Sequence, residues 1–147
     1  MTAQLIDYIR PEFHQNVKLI VECTWILANF AHGDSQHVEF LVKKEIIPLA
    51  LGLLSHPDID VRENVIWILS NIAAESHEYR DMLLDQDLPR KLEATICLEK
   101  SDDSFLGLVS WLISNICKGP PYPEFHLVKL RVIFSFKFLD NRIPYFS

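Results

Sequence analysis

The sequence predicts an all-α fold, a short solenoid of about three stacked helical repeats, from three observations. The pentapeptide Trp67-Ile68-Leu69-Ser70-Asn71 recurs as Trp25-Ile26-Leu27-Ala28-Asn29 and as Trp111-Leu112-Ile113-Ser114-Asn115. The tryptophans lie 42 and 44 residues apart, within the period of about 40–47 residues typical of stacked helical units. Most of the chain reads as short helices leading into a long one, with turn residues between them.

Each element has its own signal. Residues 3 to 9 are short and amphipathic, and Pro11 interrupts them because proline breaks a helix interior. From His14 to Ala31 the apolar residues Val17, Ile20, Val21, Leu27 and Phe30 return at helical spacing. Gly33 then supplies a stop, and Asp34 or Ser35 a cap for the next helix. The second unit reads as Gln36 to Lys43, then Ile46 to Leu54 with Pro48 near the start, where a missing N–H is tolerated. A Ser55-His56-Pro57-Asp58 turn leads into the long helix Ile59 to Ala74. The third unit repeats this order: His77 to Leu84, a polar turn, Leu88 to Leu98 with Pro89 early, a loop, and Ser104 to Cys117.

Two short helices and one long helix per unit favour armadillo over two-helix HEAT repeats, hence a right-handed armadillo-repeat superhelix. Residues 1–129 are expected to form it, in units of about 1–33, 34–75 and 76–119. After Lys118 the run GPPYP ends the helical pattern. Residues 130–147, LRVIFSFKFLDNRIPYFS, are aromatic and β-branched, lack a helical period and carry no Trp-x-x-x-Asn. They are expected to be an atypical tail, non-native or disordered, with a sticky strand-like pattern.

Composition bounds the function. The chain of 147 residues is 49% hydrophobic, enough to bury a core as one domain. A formal net charge of −6 argues against a nucleic-acid partner, which needs clustered Lys and Arg, and suits a basic one. Cys23, Cys97 and Cys117 show no CxxC spacing and sit in helical apolar patterns, so they are expected to be buried thiols in a reducing compartment. No leader opens the chain and no apolar run reaches the roughly 18 residues that span a bilayer, so a soluble intracellular protein with no membrane partner is expected. Of the six histidines, His32 and His37 are five apart with no repeating ligand pattern, and histidine is expected in surface or loop positions with no metal and no cofactor. Phosphate loops, HExxH and nucleophile elbows are missing from the text, so no enzyme is expected.

The Trp and Asn pairs carry the functional expectation. On a helix, residues i and i+4 share a face, so each Trp sits beside its Asn. A Trp at helical spacing is more often core than platform. Here Leu27, Leu69 and Ile113, with Phe30, Ile72 and Ile116, already supply a core-facing stripe, and an Asn at i+4 in all three copies does not suit a second one. Stacked long helices would turn the pairs into a ladder along one concave surface. An Asn amide can both donate to and accept from a partner's main chain. Slots between successive indoles suit long aliphatic stems with cationic heads. Glu22, Glu63 and Glu75, each about one turn from the ladder, set the sign of the charge, so an extended Lys-rich segment is the expected ligand.

These residues resemble importin-alpha, an armadillo adaptor for nuclear localisation signals, from about Gln4 to Lys129. The matching text is ECTWILANFAHGDSQ, IIPLALGLLSHPDIDVRENVIWILSNIAAES with YRD at Tyr79 to Asp81, and SWLISNICKGPPYP, similar to that family's second to fourth repeats. The resemblance implies that Trp25, Trp67 and Trp111 flank basic side chains while Asn29, Asn71 and Asn115 hold the peptide main chain. It also implies a lysine pocket using Gly33 and Glu75. In that pocket Glu replaces the usual Asp, Val38 takes the place of a Thr, and Asn64 stands where a longer Gln is usual, which should weaken it. The family's importin-beta-binding segment and later repeats are expected to be absent. The implied function is binding of basic nuclear localisation signals, as an import adaptor or a fragment of one, in cytoplasm and nucleus. The alternatives are a generic armadillo interaction scaffold or a non-functional truncated fragment.

Overall fold

Short polar side chains start four of the helices in the computed structural model, which describes residues 2–13, 15–98 and 103–124. Asn16 accepts a hydrogen bond from the Leu19 amide at 3.2 Å and opens α2, Val17–Ala31. Asp34 accepts from the Gln36 and His37 amides and opens α3, Ser35–Lys43. Asp58 does the same for Asp60 and Val61 at the start of α5, Ile59–Glu75. Ser76 accepts from Tyr79 and opens α6, His77–Asp85. Each cap satisfies amides that a helix start leaves without partners. The other described helices are α1, Thr2–Tyr8; α4, Ile46–Leu53; α7, Leu88–Leu98; and α8, Asp103–Cys117. A 3-10 turn at Pro11–Phe13 follows α1. The tail expectation for residues 130–147 lies outside the described residues.

The corners before α4 and α7 use the same backbone device. Glu45 and Asp87, 42 residues apart, take left-handed φ values of 60° and 63°. Pro48 and Pro89 then follow within the first turn of the next helix, where no intrahelical N–H bond is lost.

The described residues form a short all-helical α-solenoid whose central element is α5, packed along both α2 and α8. The stripe read from the sequence is the core. Leu27, Leu69, Ile72, Ile113 and Ile116 are all buried, and Phe30 packs half-buried beside His37 and Phe40. Fully burying a Leu or Ile side chain contributes about 1.5–3 kcal/mol, so these positions dominate the packing of the three long helices.

Polar groups also tie helices distant in sequence. Thr95 Oγ1 donates to Leu54 O at 2.9 Å, and Asn115 Nδ2 donates to Ser70 O at 3.2 Å. Arg80, 2% exposed, donates to the carbonyls of Lys118 at 3.0 Å and Pro121 at 2.8 Å while pairing with Asp81 at 2.8 Å. It thereby fastens the segment after α8 onto α6. Charge-assisted bonds of this kind are the strong ones, and an orphaned carbonyl costs more than a bond forgone. Arg80→Met is expected to lower stability by about 2 kcal/mol, read as a thermal midpoint several degrees lower by circular dichroism. Arg80→Lys should not rescue it, because an ammonium lacks the planar fork that reaches two carbonyls and a carboxylate together.

One expectation is corrected. Cys23 is buried, but Cys97 and Cys117 are exposed, because each lies one residue beyond a core position, Ile96 or Ile116. His56 lies in the expected turn and is buried there: its carbonyl accepts from Arg62 and its Nδ1 accepts from the Asp58 amide at 3.1 Å, closing the turn before α5.

Candidate peptide-binding groove

The outward faces of α2, α5 and α8 carry the predicted residues. Trp25 is 56% exposed and Trp67 39%, unusual for indoles and consistent with a core supplied by the neighbouring stripe. Trp25 and Trp67 wall a cavity of about 410 Å³, which Asn29, Asn64, Ala28 and His32 complete. Beside it lies a second cavity of about 410 Å³, lined by Glu22, Asp60 and Glu63 together with Trp25, Asn64 and Val21. The two share Trp25 and Asn64, so an aromatic slot opens directly onto three carboxylates.

This arrangement follows from helical spacing. Asp60, Glu63, Asn64, Trp67 and Asn71 fall at i, i+3, i+4, i+7 and i+11 on α5, which is one face. Asp60 escaped the sequence reading, although the same spacing marks it. The Glu22 charge is felt locally: burial first, and the Glu22 carboxylate second, push the Cys23 thiol up.

The three ladder asparagines are not equivalent. Asn29 is exposed and turns its Nδ2 onto Trp25 O at 2.9 Å, on its own helix. Asn71 Nδ2 is shut off from solvent with no hydrogen-bond partner. Asn115, 8% exposed, gives its Nδ2 to Ser70 on α5. Asn64 likewise spends its Nδ2 between helices, on Val21 O at 3.3 Å and Thr24 Oγ1 at 3.2 Å.

The indoles also differ. The Trp67 and Trp111 rings touch, with centroids 4.8 Å apart at 58°, a favourable tilted pair. The expected slot between them is therefore closed, whereas the Trp25–Trp67 slot is open. Ring contact of this kind depends on side-chain torsions and helix separation, which residue spacing does not encode.

Gly33 and Glu75 lie in different surroundings. A Cβ built on Gly33 would come within 1.9 Å of His37 Nδ1, so the glycine lets the His37 ring stack on Phe30 with centroids 4.2 Å apart. Glu75 lines a cavity of about 330 Å³ together with His77, Arg80, Lys118 and Asn115. That cavity is not the one between Trp25 and Trp67. Among the described residues no group of three His, Cys, Asp or Glu could hold a metal ion, and no helix is long and apolar enough to cross a membrane.

Comparison with known proteins agrees with this architecture. The family model of the Armadillo/beta-catenin-like repeat matches residues 34–74. Importin subunit alpha-1b of Oryza sativa subsp. japonica is 36% identical over 88% of the chain, and Importin subunit alpha-2 of Arabidopsis thaliana 33% identical over 88%. The chain spans 24% of the length of either relative. Among solved structures, a designed armadillo repeat protein in complex with the peptide (KR)4 superposes with a TM-score of 0.78 at 19% identity, covering 99% of this chain and 57% of that one. A second designed armadillo repeat protein gives 0.73 at 16% identity, covering 92% and 53%. Helix order, the buried stripe and the relatives agree: the chain is made of importin-alpha-like armadillo repeats.

Proposed function

We propose that the chain binds extended Lys- and Arg-rich peptides of the nuclear-localisation type, in cytoplasm and nucleus, as an import adaptor or as part of one, and that it performs no catalysis. The observation that carries this reading is the slot between Trp25 and Trp67 opening onto Glu22, Asp60 and Glu63. An aliphatic stem lies flat between the indoles while its cationic head reaches the carboxylates. Asn29 lines this slot on α2, where its side-chain oxygen can accept from a peptide N–H, and Asn71 lies one helical turn beyond Trp67 on α5. The names of the relatives, importin alpha subunits, support the same assignment.

The affinity follows from magnitudes. Each Asn to main-chain bond contributes about 0.5–1.5 kcal/mol net and each exposed indole–cation contact about 0.5–1 kcal/mol. Micromolar binding needs about 8 kcal/mol after ordering costs, so micromolar or weaker affinity is expected. Calorimetric titration of the 147-residue chain with a KKKRK-type peptide should show binding that weakens as salt rises, since exposed charge pairs are screened. An acidic peptide of equal length should not bind. Equal binding of both peptides, or binding indifferent to salt, would contradict a cation-selective groove and favour a general armadillo scaffold.

A further inference from the structure

The two layers of the ladder share a sequence and differ in geometry. The Trp25–Trp67 layer holds a cavity of about 410 Å³ that continues past Asn64 to three carboxylates. In the Trp67–Trp111 layer the ring centroids are 4.8 Å apart. An alkyl stem sandwiched between two rings needs a carbon–carbon contact of about 3.5–4.0 Å on each side, hence roughly 7–8 Å between ring faces. No stem fits at 4.8 Å. The closed layer is also braced from below, because the ladder's own Asn115 is spent on Ser70 O at 3.2 Å, holding α8 to α5. Trp111, half-buried against Trp67, therefore acts as a shutter on the second layer and not as a platform.

We propose that this groove reads one long cationic side chain, in the Trp25–Trp67 slot, and that Trp111 is the specificity-determining residue that closes the neighbouring layer to a second. The inference rests on the basic-peptide reading above and narrows its ligand class. Packed helices lie about 8–10 Å apart, a distance that an extended peptide crosses in two or three residues. The preferred ligand therefore carries one Lys or Arg, with a small residue two or three positions away where a second stem would meet closed rings. Main-chain contact at Asn29 is compatible with that pattern, because it asks nothing of the peptide's side chains.

The test compares three peptides on the 147-residue chain by calorimetry. One has a single Lys, one has two Lys three residues apart, and one has none, all in an Ala/Ser background. The single-Lys peptide keeps a free amino terminus and the two-Lys peptide is acetylated, so that net charge matches. With one open slot, the two-Lys peptide gains only the statistical factor of about two from either Lys entering it. With two open slots, the second Lys meets an indole on each side, and the two contacts together tighten binding about five-fold or more. Trp111→Ala should then release Trp67 and create the missing advantage, making the two-Lys peptide several-fold tighter than the single-Lys peptide.

A two-Lys advantage of five-fold or more in the parent chain overturns the shutter while leaving cation selectivity standing. Loss of two-Lys binding in Trp111→Ala, with the helical signal intact, also overturns it, because that is how a platform behaves. If none of the three peptides binds, the basic-peptide reading falls and the shutter falls with it.

Discussion

Reversing the two glutamates that frame the slot, Glu22→Lys with Glu63→Lys, is expected to weaken binding of a Lys-rich peptide by about five-fold or more. Both carboxylates line the cavity onto which the Trp25–Trp67 slot opens. An exposed ion pair contributes about 0.2–1 kcal/mol, and reversal replaces that attraction with a repulsion of similar size. Two reversals thus remove about 1–4 kcal/mol, and each 1.4 kcal/mol is tenfold in affinity. The double variant also shifts net charge from −6 to −2, which alone weakens attraction for any cation. Glu78→Lys with Asp85→Lys on α6 makes the same change in net charge away from the slot and separates the two effects. If both pairs weaken binding equally, charge selection belongs to the whole surface and not to the slot.

The second large effect is on stability. Leu69 and Trp67 are two residues apart on α5 and face opposite ways: Leu69 is fully buried and Trp67 stands out beside Trp111. Leu69→Ala is expected to cost about 2–5 kcal/mol through lost burial and the cavity it leaves. Trp67→Ala gives up the ring pair, about 0.5–1.5 kcal/mol, together with the buried part of an indole that stands 39% exposed, and it leaves no enclosed cavity. Denaturant titration should therefore find Leu69→Ala the more destabilised of the two, while peptide binding suffers chiefly from Trp67→Ala. The opposite ranking in stability would mean that the indoles, not the Leu stripe, form the core.

Much of the fold was legible because it depends on short-range chemistry. Asp34 caps α3 because its oxygen reaches amides two and three residues on, and Pro48 and Pro89 sit early because proline gives up no bond there. The Leu27, Leu69 and Ile113 stripe was legible because helical period alone selects it. Asp60 lay within reach of the same rule, seven residues before Trp67. So did the exposure of Cys97, since Leu88, Leu92 and Ile96 already occupy the buried face of α7.

What remained hidden depends on how helices meet. Arg80 reaches carbonyls 38 and 41 residues away, and nothing in the local text points there. Asn64 and Asn115 occupy positions that suit a ligand contact, yet their amides hold neighbouring helices together. The closed Trp67–Trp111 layer turns on ring torsions, which three near-identical pentapeptides cannot distinguish. The repeat thus marks where a groove is built, and inter-helix packing decides which of its layers is open.

The most direct test of that groove follows the three indole N–H signals of the uniformly ¹⁵N-labelled chain by NMR while a Lys-rich peptide is added. Saturable shifts at Trp25 and Trp67 with a micromolar or weaker midpoint are the predicted result. Indole signals that stay in place while the peptide binds elsewhere, or a full titration with no binding at all, would contradict the account.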